Sequence, residues 1–177
     1  LNVGDELVNF YDFPNLQKLV SDPMLESRLR ENKFGYRASY LHKTAHTLHE
    51  LGGAVWLDSL ASLDYKTAKQ RLELLPGVGS KVADCICLMG LHMNFVVPID
   101  THILKLTTSY YCPNLAGKNS LGKELYKDIG STWKQIFGEY AGWAHSVLFS
   151  TELREFRIHM TSKRQLVRQK TGGKKRK

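Results

Sequence analysis

The 177 residues include 42% hydrophobic and 24% charged side chains, a balance that suits a folded globular chain and excludes a disordered one. No apolar run reaches the about 18 residues of a membrane span, no secretory signal is read, and three cysteines form no even disulfide framework. The formal charge of +8 is lopsided, because residues 162–177 hold eight Lys or Arg and no acid, which leaves residues 1–161 electrically balanced.

Taken in chain order, helix signals are frequent and strand signals scarce. In "FPNLQKLV", Pro14 suits a first helical turn. "DPMLESRLREN" reads as a helix that "NKFGY" breaks at Gly35. From Arg37 to Leu51, Leu41, Ala45 and Leu48 mark one apolar stripe, stopped by Gly52 and Gly53. Asp64 is placed to cap "YKTAKQRLELL", which carries the helix to near Leu75. After "PGVG", a helix is expected over Lys81–Leu91. Asp100 is placed to cap "THILKLTTSYY", "CPNLAGKNSLG" reads as a loop, and "EYAGWAHSVLFSTEL" forms a further helix. The expected fold is all-α over residues 1–161, as one domain or two small lobes, followed by a disordered basic tail over 162–177. That tail suits a nuclear localisation signal or a basic arm, or is simply a solvated terminus. The free thiols Cys85, Cys87 and Cys112 fit a reducing compartment.

The chemistry concentrates around Pro76–Gly79. Glycines there permit positive φ and close approach of another backbone, and the amides opening the next helix can grip a phosphodiester. Such a grip needs no side-chain charge, so a neutral body can still hold DNA. A plain helix–helix turn is the alternative. Lys81 sits in the first turn of that helix, where a cation opposes the macrodipole at a cost of about 0.3–1 kcal/mol. With partial burial, that field would favour the neutral amine, a nucleophile able to attack a sugar carbon. The alternative is a surface lysine on phosphate. Nineteen residues on, "VVPID" ends at Asp100, an ordinary N-cap or a carboxylate that steadies a developing cation.

"LPGVGSKVADC" followed by "VPIDTH" resembles the helix-hairpin-helix, Gly/Pro-Asp superfamily of DNA glycosylases. "KVADCICLMG", "FGYRA" and "YAGWAHSVLFS" narrow the resemblance to the eukaryotic 8-oxoguanine DNA glycosylases, over about Phe13 to Leu153. What the resemblance implies is a bifunctional base excision repair enzyme acting on duplex DNA with 8-oxoguanine opposite cytosine. The damaged nucleotide is flipped into a pocket, Lys81 displaces the base and forms an imine, and β-elimination nicks the strand. Asp100 stabilises the cationic sugar. Cys85 and Met89 follow Lys81 at i+4 and i+8 on one helix face, and would line the pocket. Phe149 would stack on the extruded base. His145 stands where animal enzymes have glutamine, which leaves another oxidised purine open as substrate. Tyr36 would wedge into the stack and Arg37 would bond the orphaned cytosine. Gly77, Gly79, Val82 and His102 would contact phosphate, which positions the duplex without reading sequence.

Unlike relatives with an iron–sulfur cluster, such as endonuclease III, the chain lacks four spaced cysteines. No cofactor is expected beyond a monovalent or calcium ion on hairpin carbonyls near Leu75 and Val78. His42, His46 and His49 share one face, but a polar helix surface explains them better than zinc. A monomer in the nucleus is expected, with a mitochondrial form open and downstream repair proteins as partners. The chain starts at Leu1 rather than methionine, so the resemblance also implies missing upstream parts and weak or no excision by the 177 residues alone. The rival class is a helix-hairpin-helix module that binds DNA or lesions without catalysis.

Overall fold

The computed structural model describes residues 2–3, 6–7, 9, 11–115 and 122–152. It divides into two compact units, Leu1–Gly79 and Ser80–Lys177. A two-residue antiparallel pair joins Asn2–Val3 to Glu6–Leu7; all other regular structure among the described residues is helical, as expected. The basic segment 162–177 and residues 116–121 of the expected loop lie outside the described residues.

The first unit contains α1 (Leu16–Ser21), α2 (Leu25–Glu31), α3 (Arg37–Glu50), α4 (Ala54–Leu60) and α5 (Tyr65–Leu72). The side chain of Asn15 opens α1 by accepting from the Lys18 amide at 2.9 Å. Pro14 therefore precedes the cap instead of lying within the first turn. Asp64 caps α5 as its position suggests, accepting from the Thr67 amide at 3.1 Å. The Thr67 hydroxyl first, and then its amide, hold the Asp64 carboxyl below its ordinary pKa by hydrogen bonding. Helix α2 ends before Gly35, because Lys33 already turns left-handed with φ 65°, a conformation usually left to glycine or asparagine.

Helix α3 lies against both α1 and α2. It buries Ala38 and Ala45, whereas Leu41, expected on the inner stripe, is 40% exposed. Two alanines seven positions apart make a shallow face on which other helices can lie close. The short helix α4 was not foreseen: no side chain caps it, and it follows two glycines that read as a stop. Its Leu60 is fully buried.

The second unit contains α6 (Ser80–Met89), α7 (Thr101–Tyr110), α8 (Lys123–Phe137) and α9 (Ala141–Glu152), with 3-10 turns at Pro113–Leu115 and Gly138–Tyr140. Its core gathers Val97, Ile99, Ile103, Leu106, Leu125, Ile129, Trp133 and Ala141. Each fully buried aliphatic or aromatic side chain there contributes about 1.5–3 kcal/mol. Trp133 is completely enclosed, yet its indole N–H is satisfied, donating to Thr107 Oγ1 at 2.8 Å. The Thr107 hydroxyl in turn donates to the Ile103 carbonyl at 2.7 Å.

Two features fix how α9 meets the rest of this unit. The Gly142 amide donates to the Asn94 carbonyl at 2.8 Å. A β-carbon at Gly142 would strike Leu88 and the carbonyl oxygens of Asn94 and Val96. The first turn of α9 therefore lies directly on backbone, an approach that only glycine allows.

Candidate active site

The turn Pro76–Gly79 belongs to the first unit and leads in the chain to α6. Gly77 takes φ +79°, and a β-carbon there would lie 2.6 Å from Tyr40 Cγ. Both the backbone angle and the Tyr40 ring therefore require glycine. Gly79 is different: its φ is not left-handed and nothing stands within 4 Å of a β-carbon, so an open approach is its only use. The turn is steadied by the Thr44 hydroxyl, which donates to the Pro76 carbonyl at 2.6 Å. The Val78 amide donates to the Leu75 carbonyl at 3.0 Å.

Also in the first unit, Tyr36 and Arg37 stand where α3 begins. Tyr36 is 68% exposed, so it is not a core aromatic. The Arg37 guanidinium lies 4.9 Å from the centre of the Tyr36 ring, and Tyr36 meets Tyr40 edge to face at 6.2 Å. An exposed aromatic backed by a cation suits stacking against bases. The rings of His42 and His46 lie tilted against each other with centroids 4.7 Å apart, and no group of three metal-ligating side chains occurs among the described residues.

In the second unit, Lys81 is the second residue of α6 and is exposed. The partial burial expected of it is not found, because the first turn of α6 points its side chain outward. Val82 is likewise exposed. Cys85, one turn on, is half-buried. Met89 ends the same face and is 65% exposed. Asp100 caps α7 as expected, with one carboxylate oxygen accepting from the amides of His102 and Ile103, each at 2.9 Å. A carboxylate held by two amides is fixed in direction.

His145, on α9, is only 7% exposed. Burial pushes its pKa below the ordinary histidine value; Lys81 adds to that shift, while Asp100 and the Pro98 backbone oppose it. The imidazole is therefore neutral at pH 7, and it feels the charges of both Asp100 and Lys81. Among the described residues its Nδ1 meets no hydrogen-bond partner. Such an enclosed nitrogen without a partner is uncommon. Phe149 stacks on the His145 ring at 5.9 Å and meets His102 edge-on at 6.1 Å. In the second unit Phe149 thus links the rings of His145 and His102, while Lys81 and Asp100 act on His145 through their charges.

Sequence reasoning missed a connection beneath this group. Asp84 is 1% exposed, and its Oδ2 accepts from the Tyr126 hydroxyl at 2.5 Å. The same hydroxyl oxygen accepts from the Ile99 amide at 3.3 Å. An aspartate inside "KVADCICLMG" was the available signal, since a buried carboxylate requires a donor. Tyr126 carried no signal, because no helix was read over Lys123–Phe137.

No protein-family model matches the chain. Among curated proteins, it is 39% identical over 156 residues to "N-glycosylase/DNA lyase OGG1" of Arabidopsis thaliana, covering 86% of this chain and 42% of that protein. It is 37% identical over 171 residues to the "N-glycosylase/DNA lyase" of Saccharomyces cerevisiae, covering 82% of this chain and 45% of that protein. The chain thus spans less than half the length of these relatives. Among solved structures, the 8-oxoguanine glycosylase/lyase of Clostridium acetobutylicum, in complex with duplex DNA containing cytosine opposite 8-oxoguanine, superimposes with a TM-score of 0.65. It is 30% identical, over 79% of this chain and 44% of that one. By sequence and by fold, the chain is a homologue of part of the N-glycosylase/DNA lyases.

Proposed function

We propose that the protein containing this chain excises 8-oxoguanine opposite cytosine from duplex DNA and cleaves the resulting abasic strand. The observation that carries this reading is a buried, neutral His145 that, within one compact unit, feels the charges of Lys81 at the start of α6 and of a rigidly capped Asp100. A passive DNA grip needs none of these three. The relatives' names and the bound lesion duplex of the Clostridium enzyme supply the substrate class.

The Lys81 amine attacks C1′ of the extruded nucleotide, and the C1′–N9 bond breaks with its electron pair leaving on the base. Loss of the amine protons and cleavage of the C1′–O4′ bond, with O4′ taking up a proton, open the sugar ring and give an imine between the lysine nitrogen and C1′. Removal of a C2′ proton then expels the 3′-phosphate, and water releases the lysine. Asp100 offsets the positive charge that develops at the sugar, its direction set by the two amides that hold it. Phe149 stacks on the base and the His145 imidazole faces the base edge. One donor and one acceptor on neutral imidazole can read a purine edge; this supports 8-oxoguanine without excluding another oxidised purine.

Tyr36 and Arg37 serve the vacated stack and the unpaired cytosine, while the amides around Gly77, Gly79 and Val82, with His102, hold phosphate. Hairpin carbonyls are hard oxygen donors suited to a monovalent or calcium ion. The Leu75 oxygen already accepts from Val78, which leaves one lone pair for such an ion. The basic segment 162–177 supports a nuclear location.

Borohydride trapping tests the reading. The full-length protein should form a covalent adduct with an 8-oxoguanine duplex, and Lys81→Gln should form none. Absence of an adduct from the wild-type protein would leave only a DNA-binding module.

A further inference from the structure

We infer that Tyr126 is a positioning residue for the Lys81–Asp100 pair, an inference that rests on the function proposed above. Its hydroxyl touches both segments of the second unit that carry the pair. On one side it donates to Asp84 at 2.5 Å. Asp84 follows Lys81 by three residues on α6 and is therefore its neighbour across one helical turn. On the other side it accepts from the amide of Ile99 at 3.3 Å, the residue immediately before Asp100.

Packing alone does not call for this arrangement. Asp84 is 1% exposed, and an enclosed carboxylate is tolerated only where donors meet it. An apolar side chain would fill the same space at lower cost. The distance falls in the range of charge-assisted O–H···O bonds, which are about twice as strong as neutral ones. The other end of the bridge answers a separate need. Residues 96–100 are not helical and Val96–Ile99 are buried, so the Ile99 amide has no helical carbonyl and requires another acceptor. One hydroxyl thus satisfies a buried acid on α6 and a buried amide on the approach to α7. Through them it fixes where the amine's helix turn stands relative to the capped carboxylate. Tyr126 touches neither the reacting atoms nor DNA in this role.

The test is single-turnover excision by the full-length protein on a duplex with 8-oxoguanine opposite cytosine, with duplex affinity measured in parallel. Tyr126→Phe keeps the ring and removes only the hydroxyl. It should slow the chemical step about tenfold, in keeping with the steep cost of misplaced reacting groups, while the dissociation constant stays within about twofold. Borohydride adduct should accumulate at the same reduced rate. Asp84→Asn replaces the charged acceptor by a neutral one and should slow the step about threefold; it decides the matter if Tyr126→Phe does not fold. A rate within twofold of wild type, or a loss found wholly in affinity, overturns the positioning role. A wild-type protein that forms no adduct overturns the functional reading and this role with it, whereas normal trapping by wild type beside an unchanged Tyr126→Phe overturns the role alone.

Discussion

Gly142→Ala should destabilise the second unit sharply, although alanine is the better helix former. The added methyl would meet the backbone oxygens of Asn94 and Val96, the former at 2.7 Å, and the end of Leu88. Leu88 can rotate aside; the carbonyls cannot without moving the chain that leads to Asp100. Overpacking of this kind costs about 1–3 kcal/mol, and backbone obstacles place it at the upper end. The displaced helix also strains the Gly142–Asn94 hydrogen bond, 2.8 Å long, for about another 1 kcal/mol. Against this stands a propensity gain of at most about 1 kcal/mol, reduced because residue 142 lies in the first turn. The net loss is roughly 3 kcal/mol, which for a chain of this size lowers Tm by about 6–12 °C. Circular dichroism at 222 nm during heating reads it directly. Gly130→Ala is the control: it lies within α8, where a β-carbon meets only Ile99 Cδ1 at 3.8 Å. That change should raise Tm by a few degrees, from about 0.5–1 kcal/mol. A Gly142→Ala protein melting within 2 °C of wild type would refute the claim that α9 rests on bare backbone.

Asp100 can be divided into cap and charge. Asparagine caps as well as aspartate, so Asp100→Asn should change stability by less than about 0.5 kcal/mol, whereas Asp100→Ala loses about 1 kcal/mol; both should lose most excision activity in a single-turnover assay. His145 makes stability depend on pH. Its folded pKa lies below the unfolded value near 6.5, so the unfolded chain takes up the proton first. Its contribution is fully present above about pH 6.5 and is lost as pH falls through the folded value. Thermal melts from pH 7.5 to 5.5 should therefore show a larger fall for wild type than for His145→Gln, and equal falls would argue against a buried neutral imidazole.

Much of the helical order was legible in the sequence because capping chemistry is local. Asp64 and Asp100 announced α5 and α7 through side chains that reach only two or three residues ahead. Helices α4 and α8 lacked that signal, since no side chain caps either; tertiary burial of Leu60, Ile129 and Trp133 holds them instead. The grouping of Lys81, Asp100, His145 and Phe149 followed from family motifs; in the second unit His145 stacks on Phe149 and feels the charges of Lys81 and Asp100. Exposure was harder to foresee. Helical spacing placed Lys81, Cys85 and Met89 on one face, but spacing does not say what covers a face, and both ends of that row are open. The Asp84–Tyr126–Ile99 bridge spans residues from three separate segments, and no local pattern encodes such a meeting.

The Tyr40 ring occupies the volume that any side chain at position 77 would need. Residues 40 and 77, distant along the chain, are therefore one mutational unit. A smaller residue at 40 would relieve the crowding at 77 but not the left-handed angle, so tolerance there can be only half restored. Paired libraries at these two sites would expose a dependence that scanning either position alone conceals.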